Sequence, residues 1–287
     1  MPSADRGAGP NGIAVIDKPA GWTSHDVVAK SRGVLGTKKV GHSGTLDPDA
    51  TGVLLLGVGT VTRLLRFLSP LAKSYTCEIV LGVETSTLDA AGDVTATHAM
   101  SVSLDDVRAA ASALTGDLQQ VPPMVSAVSI GGKRLHELAR QGIEVEREAR
   151  PVTVHVFDID ATDDPLVFRA SVECSSGTYV RSLADDLGHA LGGGAHLRAL
   201  RRTAIGFFTE AMAHPLETPE LLPPIAAVEH LPRLDVPRDH VAVGGIVPGD
   251  SATGDGPWAV VDGDELLAVY ERSRDRIKPA VVVLRPT

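Results

Sequence analysis

The chain has 287 residues, 27 Lys plus Arg against 36 Asp plus Glu, a formal net charge of −9, and 43% hydrophobic residues. That length and apolar share suit one medium domain with a small one appended, and the acidity argues against a surface that coats nucleic acid throughout, since such binding draws on many phosphate contacts. Two cysteines, Cys77 and Cys174, with no CxxC pair, suggest reduced thiols rather than a disulfide framework or a structural zinc site.

Residues Met1 to Asn11 are small and polar without an apolar centre and read as a loose tail rather than a signal peptide. Ile13 to Ile16 reads as a short buried strand. Ser24 is placed to cap a helix whose apolar positions Val27, Val28, Val34 and Leu35 repeat helically, with Gly36 as its stop. Gly41 to Gly52 is too rich in glycine and turn formers for a helix or an unbroken strand, so a loop is expected there. The longest apolar run, Val53 to Val58, is far below the roughly 20 residues of a membrane helix. No membrane span and a cytoplasmic location are expected.

Tyr75, Cys77, Ile79 and Leu81 alternate with Thr76, Glu78 and Val80 in the period of a strand buried on one face. Ser103 with Asp106 reads as a capping box ahead of Val107, Ala111 and Leu114, in a helix ending near Gly116. Val121-Pro122-Pro123 opens an irregular segment with a short basic helix from Lys133 to Arg140 and Gly142 as terminator. Val152 to Val156 and Val167 to Cys174 return to strand character, and Thr178 to Leu191 is helical through Val180, Leu183, Ala184 and Leu187. Strands mixed with helices make an α+β domain over residues 12–230, with 121–150 as an insertion. Past Pro232, strands at Trp258–Val261, Glu265–Tyr270 and Ala280–Leu284, with Asp262-Gly263-Asp264 as a turn, give a small all-β domain over 231–287.

Local basic clusters are Lys30, Arg32, Lys38 and Lys39; Lys133, Arg134 and Arg140; and Arg198, Arg201 and Arg202. By composition each is an ordinary solvated face.

Five ordered stretches carry a resemblance: Asp17-Lys18-Pro19-Ala20-Gly21-Trp22-Thr23-Ser24, the loop around Gly44-Thr45-Leu46-Asp47-Pro48, Lys73-Ser74-Tyr75, Gly177-Thr178-Tyr179-Val180-Arg181-Ser182-Leu183, and Leu197-Arg198-Ala199-Leu200-Arg201-Arg202-Thr203. Together they resemble the bacterial pseudouridine synthases that act on position 55 of transfer RNA, the TruB family, strongly over residues 12–210 and weakly beyond. Several motifs in order are far less prone to chance than one pattern. The resemblance implies the pseudouridine synthase fold, with a mixed, mainly antiparallel sheet and a central cleft, and a PUA-like character for the C-terminal β module. Ser43, Asp49, Ser129, His136 and Ser176 depart from the family's usual Thr, apolar residue, Lys, Tyr and Lys. The two absent lysines weaken phosphate contacts but remove no catalytic group.

What the resemblance implies for the site starts from Asp47 as catalytic carboxylate. Alone, an acidic loop residue is far more often solvated or a cap. Arg181 matches the family arginine that pairs with that aspartate and favours its charged form; by itself it reads as a structural ion pair. Tyr75 matches the tyrosine that stacks on the base and relays a proton at ribose C2′, although a phenol of pKa about 10 is a poor base unless its hydrogen bonds help. Tyr179 and Leu200 match pocket positions and would otherwise be core residues. His42 matches the residue that helps extrude the base, and Lys18 a buttress of the Asp47 loop. Lys133, Arg134 and Arg140 would give the insertion phosphate donors toward the T-arm.

The implied reaction cleaves the N1–C1′ bond of uridine and joins C5 to C1′ without net oxidation, so no cofactor or metal is expected. The implied partner is transfer RNA, through its T-arm and T-loop, with no guide RNA or obligatory protein and a monomeric enzyme. Whether Asp47 attacks C1′ or C6, or assists a glycal route, stays open. Two other readings use the same residues: a transfer RNA folding module without turnover, and a hydrolase of N-glycosidic bonds with Asp49 as its second carboxylate.

Overall fold

The structure, a computed structural model, describes residues 9–126, 129–130, 133–134, 143 and 145–284. It comprises two compact units: Met1–Pro48, Gly52–Pro70 and Glu210–Thr287 form the first, and Asp49–Thr51 with Leu71–Thr209 the second.

In the first unit, β1 (Gly12–Lys18) and β2 (Val40–Ser43) both run antiparallel to β3 (Thr51–Val58), with Ile13 and Gly41 each opposite Gly57. The strand at 13–16 is as expected, but Gly41, His42 and Ser43 belong to β2. The irregular loop therefore shrinks to residues 44–50, because β3 offers the Gly41–Ser43 backbone a ladder that turn-forming composition conceals. Between β1 and β2 lies α1 (Ser24–Val34). Its N-cap is Thr23 rather than Ser24: the Thr23 side chain accepts from Asp26 N while the Asp26 carboxylate accepts from Thr23 N, a reciprocal box that satisfies two orphan amides. Gly36, at φ 63°, adopts the left-handed turn that ends the helix. Val27 and Val28 pack with Ala14, Ile16, Val40, Leu54, Leu56 and Val58, while Val34, expected in the same stripe, is 40% exposed.

The same unit holds β14 (Val247–Pro248), β15 (Trp258–Asp262), β16 (Glu265–Ser273) and β17 (Arg276–Val282), antiparallel in the order β14-β17-β16-β15. Gly263, at φ 57°, sits in the expected hairpin turn. The last strand begins four residues before the sequence pattern places it, because Arg276 to Pro279 already pair with β16 despite their polarity. Trp258, Val260, Leu267, Tyr270 and Ile277 build its core with Leu234, Val236 and Val241, the last from the short helix Arg238–Ala242. Arg66 pairs with Glu271 at 2.6 Å and His230 Nε2 lies 3.1 Å from Phe67 O, so this sheet is anchored to the short helix Leu65–Leu68.

The second unit is an antiparallel sheet in the order β12-β4-β11-β10-β7, from Ala195–Ile205, Lys73–Leu81, Val167–Cys174, Arg150–Ala161 and Gly116–Gln120. Odd residues of β4 are buried, as their alternation requires. The helix Leu104–Ala113 has the expected Ser103–Asp106 capping box, and Arg108 Nε donates to Ile159 O of β10. Val180–Ala190 forms the expected helix with Tyr179 as its N-cap. Within the insertion, Ser129–Ile130 (β8) pairs antiparallel with Lys133–Arg134 (β9), so the basic stretch opens as strand rather than helix, because a partner strand satisfies its backbone. The rest of that expected helix, with Arg140, lies outside the described residues. The fold is α+β. Isolated parallel bridges join Ile16 to His214, Asp89 to Leu197 and Arg233 to Ala259.

Candidate active site

The first unit immobilises the loop on both sides of Asp47. Leu46, buried, gives its N–H to Ser24 Oγ at 2.9 Å, and Ser24 Oγ donates back to Leu46 O at 3.3 Å. Ser24, expected as a helix cap, thus holds the loop, and its neighbour Thr23 does the capping. Pro48 O accepts from Lys18 Nζ at 2.8 Å and from Gly21 N at 2.9 Å. Lys18 is 0% exposed, and its ammonium also donates to Pro19 O at 2.9 Å and Trp22 O at 2.6 Å. A buried ammonium requires such acceptors, since desolvation otherwise penalises it heavily. The result is a half-buried carboxylate whose two flanking residues are fixed, a pre-organised group rather than a solvated turn.

His42, opposite Leu56 in the β2–β3 ladder, meets the His25 ring edge-on with centroids 5.3 Å apart. His25 went unnoticed in sequence because it projects from α1, and helical position alone does not mark a ring contact. Ser43, a family departure, is buried with Oγ 3.2 Å from Ser69 Oγ.

The second unit carries the remaining residues. Arg181, 4% exposed, donates through Nη1 to Thr87 O at 2.9 Å and through Nη2 to Val125 O at 2.8 Å. Its Nη1 also faces Asp89 Oδ2 at 3.5 Å. The other oxygen, Asp89 Oδ1, accepts from Thr87 Oγ1 at 2.5 Å and Ala91 N at 3.1 Å, so the carboxylate is oriented toward the guanidinium. Asp89 was missed because it lies 92 positions from Arg181 in a segment, Thr85–Gly92, that reads as a turn. Tyr179 is clamped by Gln120, whose Oε1 accepts from Tyr179 N at 2.7 Å and whose Nε2 donates to Tyr179 O at 3.1 Å. Gln120 is buried at the end of β7, and no sequence signal distinguishes it.

Tyr75, 8% exposed, stands on β4 between Val172 of β11 and Arg202 of β12. Leu200, half-buried, lies in an irregularity of β12 opposite Cys77. Arg202 corrects the sequence reading: instead of joining Arg198 and Arg201 in an open basic face, it is 1% exposed. Burial lowers its pKa, opposed by the charge and hydrogen bond of Tyr75. Lys73 is also buried; burial and then Arg202 bring its pKa down to about 8. Burial pushes the Cys77 thiol up to about 12 and Cys174 to about 11, so both are inert at neutral pH.

Among the described residues no three His, Cys, Asp or Glu side chains group as metal ligands, and no helix is long and apolar enough to cross a membrane.

The fold, α+β around an antiparallel sheet, defines the class through its likeness to known structures. A chain in the crystal structure of a Cbf5–Nop10–Gar1 complex matches with a TM-score of 0.71 at 26% identity, over 96% of this chain and 84% of that one. The profile described as TruB family pseudouridylate synthase (N terminal domain) matches residues 32–180, and that of the tRNA pseudouridylate synthase B C-terminal domain matches residues 181–222. The tRNA pseudouridine synthase B of Arthrobacter sp. (strain FB24) is 43% identical, with 95% of this chain and 96% of that protein covered. Its namesake from Nocardia farcinica is 51% identical over 79% of this chain and 73% of that protein. The chain belongs to the TruB family of pseudouridylate synthases, enzymes that isomerise uridine to pseudouridine.

Proposed function

We propose that the enzyme binds transfer RNA as a monomer in the cytoplasm, without guide RNA or obligatory protein, flips the uridine at position 55 of the T-loop and isomerises it. The names of its relatives support transfer RNA as substrate, and the five motifs support position 55. The observation that carries the reading is the double anchoring of the Asp47 loop, through Ser24 on Leu46 and Lys18 with Gly21 on Pro48.

In this reading residues 12–230 are catalytic, with 121–150 gripping RNA through Lys133, Arg134 and Arg140, and 231–287 are a small β domain. Asp47 acts on the sugar or base, Arg181 is the guanidinium assigned to it, and Tyr75 stacks on the base and handles the C2′ proton. Tyr179 and Leu200 hold the detached uracil, and His42 assists extrusion of the base. No cofactor enters, because no electrons or groups are exchanged.

Transfer RNA carrying tritium at uridine C5 tests this directly, because the new C5–C1′ bond releases the label to water. Release at a single uridine, mapped to position 55, is expected. Asp47→Asn should abolish release while RNA binding is retained; substantial turnover by that variant would remove Asp47 from the chemistry.

A further inference from the structure

Between Leu197 and Ile205 the register of β12 against β4 slips twice. Arg198 faces Glu78, Arg201 faces Thr76, Arg202 faces Tyr75 and Ala204 faces Ser74. Ala199 and Leu200 therefore oppose Cys77 alone, and Thr203 is a second extra residue. Ala199 takes the left-handed conformation, φ 53°, usual at the first position of such a bulge and uncommon for a residue with a Cβ.

Directly opposed residues of neighbouring strands project from the same face. Arg198 and Arg201 thus share the face of Glu78 and Thr76, where Arg198 Nε donates to Glu78 Oε2 at 2.7 Å. Were the same residues to run without the bulge, each with its own partner, Arg202 would share that face. With it, Arg202 lies on the buried face with Tyr75, Cys77 and Ile79. Two bulges thus bracket two pairs, Arg201 with Thr76 and Arg202 with Tyr75, of which only the second lies on the buried face.

Arg202 and Tyr75 meet directly: Tyr75 favours the charged guanidinium through charge and a hydrogen bond, and a cation that donates to a phenol oxygen makes that oxygen a better acceptor. The other titratable groups on this face of β4, β11 and β12 are Lys73, Cys77 and Cys174. Both thiols are neutral at physiological pH, so the charges these three strands place on that face are those of Arg202 and Lys73.

We propose that Arg202 is a positioning residue for Tyr75: its guanidinium donates to the phenolic oxygen, orients it as an acceptor and makes it able to take the ribose C2′ proton. This rests on the reading of Tyr75 as the group that handles that proton. On the glycal route, the C2′–H bonding pair becomes the C1′–C2′ double bond as N1 leaves with its own pair. Tyr75 holds the proton and returns it to C2′ as C5 joins C1′; the C5 proton then leaves to water and N1 takes one up, so the phenol ends unchanged. The position answers the weakness of an ordinary phenol as a base near neutral pH.

Two experiments test this. First, Tyr75, Tyr179 and Tyr270 are the three tyrosines of the chain, so the Y179F/Y270F protein reports Tyr75 alone by tyrosinate absorbance in a pH titration. Arg202→Gln, or Arg202→Lys should Gln prevent folding, is expected to raise the Tyr75 titration midpoint by about one pH unit or more. An unmoved midpoint overturns the proposal. Second, tritium release is followed for Tyr75→Phe, Arg202→Lys and their combination. Arg202→Lys should lower kcat about tenfold, with a smaller change in KM and an alkaline shift of the pH profile, and should cost nothing further in the Tyr75→Phe background. Additive losses overturn the role of Arg202 while leaving Tyr75 its own; full turnover by Tyr75→Phe overturns the reading of Tyr75 and the proposal with it.

Discussion

Asp47 is held by residues close to it in the chain: Leu46 reaches Ser24 across 22 positions, and Pro48 reaches Lys18 across 30. Arg181 reaches Thr87 across 94 positions, and Tyr75 meets Arg202 through strand register alone. In the first region two side chains, Ser24 and Lys18, grip the loop backbone, so the residues that matter are few and lie close together in the chain. In the second, side chains are aimed by sheet geometry, and a residue's role depends on which face a bulge assigns it. Local anchoring makes a site readable and brittle to single substitutions; register makes a site that is hidden in sequence and sensitive to spacing.

The comparison breaks first at Lys18. Lys18→Met leaves the carbonyls of Pro19 and Trp22 without this donor and Pro48 O with Gly21 N, and at about 1–3 kcal/mol for each acceptor left unpaired, partly relieved by water, unfolding free energy should fall by about 3 kcal/mol. Urea denaturation measures it; a loss comparable to an exposed lysine's would mean that the loop is held otherwise.

Lys73 should behave in the opposite sense. Its folded-state pKa of about 8 lies below the ordinary value, so the unfolded chain keeps a proton that the folded one sheds. Stability should therefore rise by about 3 kcal/mol as pH climbs from about 8 to about 10.5 and be flat, for this group, below that window. Lys73→Met should be more stable than the parent at neutral pH and lack this part of the pH dependence, as urea midpoints at neutral and alkaline pH would show.

Asp89→Asn keeps an acceptor for Thr87 and Ala91 but removes the charge facing Arg181. A fall of about tenfold in kcat/KM with little change in thermal midpoint is expected. An unchanged rate would reduce Asp89 to a scaffold residue.

The smallest contrast uses the matched capping boxes. Thr23→Ala and Ser103→Ala should each cost about 1 kcal/mol of stability. Only the former, at the end of the helix that carries Ser24, should also slow tritium release. Equal effects on activity would sever the link between α1 and the loop.

Legibility follows the same division. The β4 alternation, the Ser103–Asp106 box, the helix at 180–190 and the Gly-Thr-Leu-Asp-Pro loop are periodic or local, and the sequence reading located each of them. Thr23 and Ser24 exchanged roles because both are good caps, and only the position of Leu46 decides which is free for the loop. Asp89, Gln120 and the burial of Arg202 were not legible, since each depends on which distant segment lies alongside. Arg198, Arg201 and Arg202 look like one cationic run until Ala199 turns the strand.

That turn has a consequence for how this strand tolerates mutation. Conservative replacements on β12 leave the order of faces intact, so substitutions there should be graded in effect. Pairing Ala199 and Leu200 each with its own partner would exchange the faces of Arg201 and Arg202, whereas deleting one of the two would leave Arg201 opposite Thr76 and Arg202 opposite Tyr75. What keeps Arg202 beside Tyr75 is therefore the pairing on either side of the bulge rather than the length of the segment between them.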